Sequence, residues 1–333
     1  MNDITARSLS STVRRVAITL IAGIVVASAA AGALAADKVT IFSGSDEHWV
    51  PLQVAKAKNF FSEQGIDAEI TVFTTGATAT EAFRAGRGDL ISAGDLPSAA
   101  MWKSGAAIGI APMSEDTEIF GIVGNATINS PQDLKGKKVA TRMGSTGEFL
   151  LYRYLSKGGL TPADVSIVDL APPEMVIAQV QGNIDAFSWL APFTTRAIAS
   201  GKNVKLITSA KGLANNRIVL SAAKTFRDRK PEALKKVVRA LIQATKYTQE
   251  NPEEATRIWA NAVLGDPKQS LPVVKLIKYD MTVDDAFIKD MNDLSKFMME
   301  KGALKSALDW RTETDFSVLR AVDPALVKVA TQN

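Results

Sequence analysis

Nucleophiles, general bases and metal ligands are scarce in this chain. It has no cysteine and a single histidine, His48. Thiolate nucleophiles, iron–sulfur clusters and cysteine zinc sites are therefore excluded. One imidazole cannot make a histidine cluster for catalytic zinc, and any Ser-His-Asp relay would have to use His48. A solvated or capping role is the simpler expectation for that residue. What the chain does carry is a set of short polar loops. They are Ser43-Gly44-Ser45-Asp46, Gly94-Asp95-Leu96-Pro97, Met113-Ser114-Glu115-Asp116, Met143-Gly144-Ser145-Thr146-Gly147 and Trp189-Leu190-Ala191-Pro192. Gly, Ser, Thr, Asp and aromatic residues in this mixture hold a small polar ligand by backbone N–H groups and hydroxyls.

The Gly144–Gly147 turn is the sharpest of these signals. It exposes the first N–H groups of a helix expected from Thr146, and those donors with the helix dipole make an anion site. Plain N-capping by Ser145 or Thr146, with no ligand, is the competing reading. Neither G-x-G-x-x-G nor G-x-x-x-x-G-K-[ST] occurs, so dinucleotide and P-loop chemistry are set aside and no cofactor is called for. Trp49, Trp102 and Trp189 are candidates for pocket walls as well as for core. Trp189 stands out because it ends an expected strand just before Pro192. The acids Asp46, Glu47, Asp95, Glu115 and Asp116 read individually as N-caps or solvated loop residues. Two or more of them facing a ligand would favour a cation, and Arg142 or Arg217 would offset them.

These loops need elements to hold them. Short β-rich runs at 38–42, 68–73, 90–93 and 107–112 alternate with helical patterns at 51–64, 78–85 and 96–104. That order predicts a parallel sheet flanked by helices. The period recurs with strands at 138–142, 165–170, 184–189 and 204–208 and helices at 146–157, 174–181 and 192–200. From residue 224 onward the patterns are helical. Binding crevices of open parallel sheets lie outside the carboxyl ends of the strands, where all five polar loops fall. Two α/β units with a helical tail predict two lobes. Lobe 1 takes residues 36–121 and 220–333, lobe 2 residues 122–219, and crossings are expected near 119–124 and 217–222.

The chain has 333 residues, 46% of them apolar and 22% charged, with a net charge of only +4, so a nucleic-acid footprint is not expected. Arg14 and Arg15, the uncharged run 16–32 and Ala33-Leu34-Ala35 read as a cleaved signal peptide over residues 1–35. A chain without cysteine is compatible with an oxidising compartment.

Several segments together resemble a family. They are PLQVAKAKNFFSEQGID at 51–67, RAGRGD at 84–89, Gly94–Pro97, DLKGKK at 133–138, Gly144–Glu148, GLTPADV at 159–165 and GNIDAFSWLAP at 182–192. In order and spacing they are similar to the nitrate/sulfonate/taurine-type periplasmic solute-binding proteins of ABC importers, a superfamily shared with thiamin-pyrimidine-precursor binders. The resemblance implies an α/β, two-lobe periplasmic binding protein of type II. Each lobe would be a mostly parallel sheet flanked by helices, with a helical C-terminal tail. It implies a monomeric, non-enzymatic subunit that takes an aliphatic sulfonate, taurine or nitrate-class solute between hinged lobes and delivers it to a membrane permease. A cationic or nitrogen-heterocyclic solute, or a pyrimidine-forming enzyme, is the alternative. The ligand contacts it implies are Ser43, Gly44, Gly94, Asp95, Ser145, Thr146 and Trp189. Trp49 joins them as a candidate wall. The acid-rich stretches 45–49 and 114–116 depart from the pattern expected around a plain anion.

Overall fold

The computed structural model describes residues 36–74, 76–201 and 203–329. The expected signal peptide, residues 1–35, lies outside them. Among the described residues no helix is long and apolar enough to cross a membrane.

The first sheet is built from β1 (Asp37–Ser43), β2 (Ile66–Val72), β3 (Leu90–Gly94), β4 (Ile108–Asp116) and β10 (Asn216–Ala222), in the order β2-β1-β3-β10-β4. The second holds β5 (Phe120–Asn125), β6 (Lys138–Thr141), β7 (Ser166–Asp169), β8 (Ala186–Leu190) and β9 (Val204–Ser209), in the order β7-β6-β8-β5-β9. Each sheet keeps parallel pairs, β1 with β2 and β3, and β6 with β7 and β8. One strand in each runs against the rest: β10 is antiparallel to β3 and β4, and β5 to β8 and β9. Each sheet is thus mostly parallel, as expected, with a single antiparallel strand. The reason is topological, because β5 and β10 have just arrived from the other sheet without a crossover helix to turn them.

The expected crossings at 119–124 and 217–222 are strands rather than connectors. The chain changes sheets just before each of them, at 117–119 and at 210–215. Asp116 and Asn216 face each other in the β4–β10 register at the foot of both passages.

The first five helices are α1 (Val50–Ala57), α2 (Phe60–Glu63), α3 (Gly76–Arg84), α4 (Asp95–Lys103) and α5 (Thr146–Lys157). The helix expected over 51–64 is split into α1 and α2 at Asn59, which takes a left-handed φ of 63° and ends one turn to start another. Asparagine tolerates that conformation by bonding locally. Next come α6 (Pro172–Gln181), α7 (Phe193–Ala199), α8 (Lys224–Arg229), α9 (Pro231–Glu250), α10 (Pro252–Val263), α11 (Pro267–Val274), α12 (Asp285–Glu300) and α13 (Ser317–Val322). The apolar stripe of α9 (Leu234, Val237, Val238, Leu241 and Ala244) is buried, with α1 as its main helical neighbour. Its spacing of three and four residues is that of a one-faced helix. The tail is therefore part of lobe 1, whose first helix it covers. The core of the first sheet holds Ile41, Leu90, Ile91, Ile110 and Met113, and that of the second Ile122, Val139, Ala140 and Phe187, all at or near zero exposure.

Candidate functional site

The two sheets turn the carboxyl ends of β1, β3, β6 and β8 toward one cleft of about 800 Å³. The first residues of α3, α6 and α7, the Gly94 N-cap of α4, and Ser145 and Thr146 of α5 all line it. This convergence follows from strand–loop–helix connections, which point every helix N-terminus the same way. On the side of the first sheet, which includes β10, the walls are Ser45, Asp46, His48, Trp49, Thr74, Gly76, Gly94, Pro97, Asn216 and Ile218. On the side of the second, which includes β5, they are Phe120, Gly144, Ser145, Thr146, Pro172, Pro173, Trp189, Leu190 and Phe193. No lysine or arginine is among them. Arg142 pairs with Asp169 at 3.0 Å, and Arg217 is buried between Glu115 at 2.7 Å and Asp290 at 2.8 Å.

Five of the eight sequence candidates border this cleft: Trp49, Gly94, Ser145, Thr146 and Trp189. Three do not. Ser43 is wholly buried in β1 with an unpartnered hydroxyl, because its side chain points away from the cleft into the lobe. Gly44 lies under Trp49, where a Cβ would come within 2.4 Å of the ring. Its role is to let the indole lie flat, and the indole is fixed by its N–H donating to Ser92 O and Oγ at 3.0 Å. Asp95 is buried at the start of α4, its Oδ1 accepting from Leu96 N at 2.7 Å and from Thr146 Oγ1 at 3.0 Å. That second bond runs from lobe 1 to lobe 2. Burial is the main cause that lifts the Asp95 carboxyl to a pKa of about 6, against the opposing Thr146 and Leu96 bonds. Trp102 is core, its N–H bonded to Ser221 Oγ at 2.8 Å.

The start of α5 carries the free donors. Ser145 caps the helix by accepting from Glu148 N, and its hydroxyl donates to Arg142 O at 2.6 Å. Gly144 N donates to Glu148 Oε2 at 2.8 Å, and the other oxygen of this buried Glu148 pairs with Lys301 from the C-terminal end of α12. The N–H groups of Ser145, Thr146 and Gly147 meet no acceptor among the described residues. Gly147 is required for close approach, since a Cβ there would lie 2.7 Å from Ser188 O. Capping and donation to a ligand thus coexist at this turn.

His48 overturns its expectation. It is 1% exposed, with Nδ1 2.8 Å from Asp46 Oδ1 and Nε2 2.9 Å from Asp116 Oδ2. Burial opposes its charge, yet Asp46 and Asp116 outweigh burial and raise its pKa to about 10. The group is therefore an imidazolium at neutral pH and cannot act as a general base. Asn216 Nδ2 donates to the same Asp116 Oδ2 at 2.8 Å, while Asp116 Oδ1 accepts from the N–H groups of Ile119 and Phe120 at 3.0 and 3.2 Å. One histidine thereby ties the cleft loop to both passages between the sheets. Glu47 is also buried, and burial raises its pKa. Glu115 and Asp116 pair with Arg217 and His48, Asp95 bonds Thr146 across the lobes, and among the described residues Asp46 is the carboxylate that lines the cleft. The involvement of Asn216, Phe120 and Phe193 was missed in the sequence, where nothing but their positions beside strand ends marks them.

The NMT1/THI5 like family model matches residues 47–255. The putative aliphatic sulfonates-binding protein of Escherichia coli is 26% identical over 219 residues, covering 64% of this chain and 68% of that protein. The taurine-binding periplasmic protein of Escherichia coli is 29% identical over 210 residues, 61% of this chain and 64% of that one. Among solved structures, the alkanesulfonate-binding protein SsuA from Xanthomonas axonopodis pv. citri, bound to MOPS, superposes with a TM-score of 0.72. It is 19% identical and covers 84% of this chain and 98% of its own. These structures share the two-lobe periplasmic binding fold.

Proposed function

The chain belongs to the NMT1/THI5-like family, and from that premise we propose that it is the solute-binding subunit of an ABC importer. It captures a small polar solute of the aliphatic sulfonate, taurine or nitrate class between its lobes and hands it to a membrane permease. The site is the cleft bordered by Trp49, Gly94, Ser145, Thr146 and Trp189. The observation that carries this reading is the row of unpartnered amides at the start of α5, facing a cleft between two lobes. Such donors with the helix dipole hold an anion without a lysine or arginine. Its sulfonate- and taurine-binding relatives point the same way.

The working cycle is a population shift. Solute bridges the walls, its differential affinity favours the closed arrangement, and the permease reads that arrangement. Work in the periplasm follows if residues 1–35 are cleaved as a signal. Neither imidazole nitrogen of His48 is free and no lysine lines the cleft, which supports capture over bond-making chemistry. A nitrogen-heterocyclic solute is the second reading, favoured by Asp46 on the cleft wall. Calorimetry over sulfonates, taurine, nitrate and pyrimidines, paired with small-angle scattering, tests both. The expected result is binding of an anion with a compacted radius of gyration; no binding and no compaction would sink the proposal.

A further inference from the structure

Of the five tryptophans, four place the indole N–H on a protein acceptor. Trp49 uses Ser92 O at 3.0 Å, Trp102 uses Ser221 Oγ at 2.8 Å, Trp259 uses Asp46 O at 3.0 Å and Trp310 uses Asn292 Oδ1 at 3.0 Å. Trp189 is the exception. It is 7% exposed and lines the cleft, yet its N–H has no acceptor among the described residues. Nor is this nitrogen among the sealed interior atoms that lack partners, such as Ser43 Oγ, so it keeps an accessible surface on a residue that lines the cleft. A nearly buried donor without an acceptor is costly, and tryptophan N–H groups normally find one. The ring cannot turn to seek a partner, because Phe120 packs on it at 5.7 Å and Gly147 closes on its edge.

The remaining walls are unusually apolar for a site meant for nitrate or taurine. Trp49 contributes ring carbon only, since its own N–H is committed, and Phe120, Phe193, Pro97 and Ile218 complete the enclosure. Without a lysine or arginine, and with the His48 imidazolium already held between Asp46 and Asp116, the cleft has nothing to balance a second negative charge. We propose, resting on the solute-capture reading above, that the solute is a singly charged acid with an aromatic body. One acid oxygen accepts from the Trp189 N–H, and the ring lies against the walls around Trp49. Within the class of solutes proposed above, nitrate and taurine bind more weakly because they leave those walls wet.

Calorimetry on the purified protein tests this with benzenesulfonate, 2-naphthalenesulfonate, a methane-to-hexane alkanesulfonate series, taurine, nitrate and sulfate. Affinity should rise about fourfold per buried methylene along the series. The aryl acids should bind at least about tenfold tighter than taurine or nitrate. Trp189→Phe keeps the ring and deletes the donor, so aryl-acid affinity should fall about 10- to 100-fold with the melting temperature unmoved. Taurine or nitrate binding tightest, or a Trp189→Phe variant with full affinity, overturns the aromatic assignment while solute capture stands. Failure of every compound to bind overturns both. The homologous series needs no variant, so it decides the matter even if Trp189→Phe folds poorly.

Discussion

Between pH 6 and pH 8 the protein should lose about 2 kcal/mol of unfolding free energy through His48. An imidazole in the unfolded chain titrates near 6.5, whereas in the fold it titrates at about 10. The folded state therefore holds this proton more tightly than the unfolded state does. The stabilisation is complete below about pH 6.5, declines as the pH rises, and is gone once the folded value is passed. At about 1.36 kcal/mol per unit the full effect is roughly 5 kcal/mol, of which about 2 falls between pH 6 and 8. Asp95, with a folded value of about 6, adds only a few tenths of a kcal/mol in that window. Urea unfolding at pH 6, 7 and 8, followed by tryptophan fluorescence, reads the slope. A His48→Gln/Asp116→Asn variant, which leaves no buried Asp116 carboxylate stranded, should show a nearly flat profile over the same range. Because the chain has one histidine, a single imidazole resonance in a nitrogen-15 NMR titration reports its protonation directly. An imidazole titrating near 6.5, or a variant whose profile parallels the wild type, would refute the buried imidazolium.

Asp95→Asn keeps an acceptor for Thr146 and Leu96 but removes a carboxylate that burial penalises. Stability at pH 8 should rise by about 1–3 kcal/mol, and the gain should vanish below pH 4; thermal melts at both pH values check it. Lys301→Met strands the buried Glu148 carboxylate and should cost about 3 kcal/mol, most of it recovered in Lys301→Met/Glu148→Gln. Simply additive losses in a double-mutant cycle would show that the pair is not coupled. Gly44→Ala forces a Cβ into the Trp49 ring, so it should lower stability by about 1–3 kcal/mol and weaken solute binding. Unchanged affinity would remove Trp49 from the cleft wall.

Local signals carried most of the element list into the sequence. Gly65 ends the α1–α2 segment in a left-handed turn, and Ser145 caps α5 where the Gly-Ser-Thr-Gly motif places it. What stayed hidden was long-range. Asp116, the distant partner of His48, lies 68 residues away, and Asn216, which donates to the same carboxylate, lies 168 away, so no local pattern reveals the burial of His48, although an aspartate two residues before it was a visible capping signal. The insertion of β10 between β3 and β4 was equally illegible, because an apolar run at 216–222 reads the same in any sheet. Ser43 and Gly44 sit at the right strand end, but Ser43 is buried in the sheet and Gly44 is covered by the Trp49 ring, packing that no local pattern announces. Trp189 was visible as a candidate, but its idle N–H needs the other four tryptophans' acceptors for contrast.

The place of β10 also fixes a timetable. β3 and β4 never pair directly, and the strand that joins them ends at Ala222. A ribosome making this chain must add roughly two-thirds of it before the first sheet can knit, while the second sheet, drawn from one uninterrupted stretch, has all its strands earlier. Pairings of such long sequence separation form slowly. The half that begins first is thus the half that finishes last.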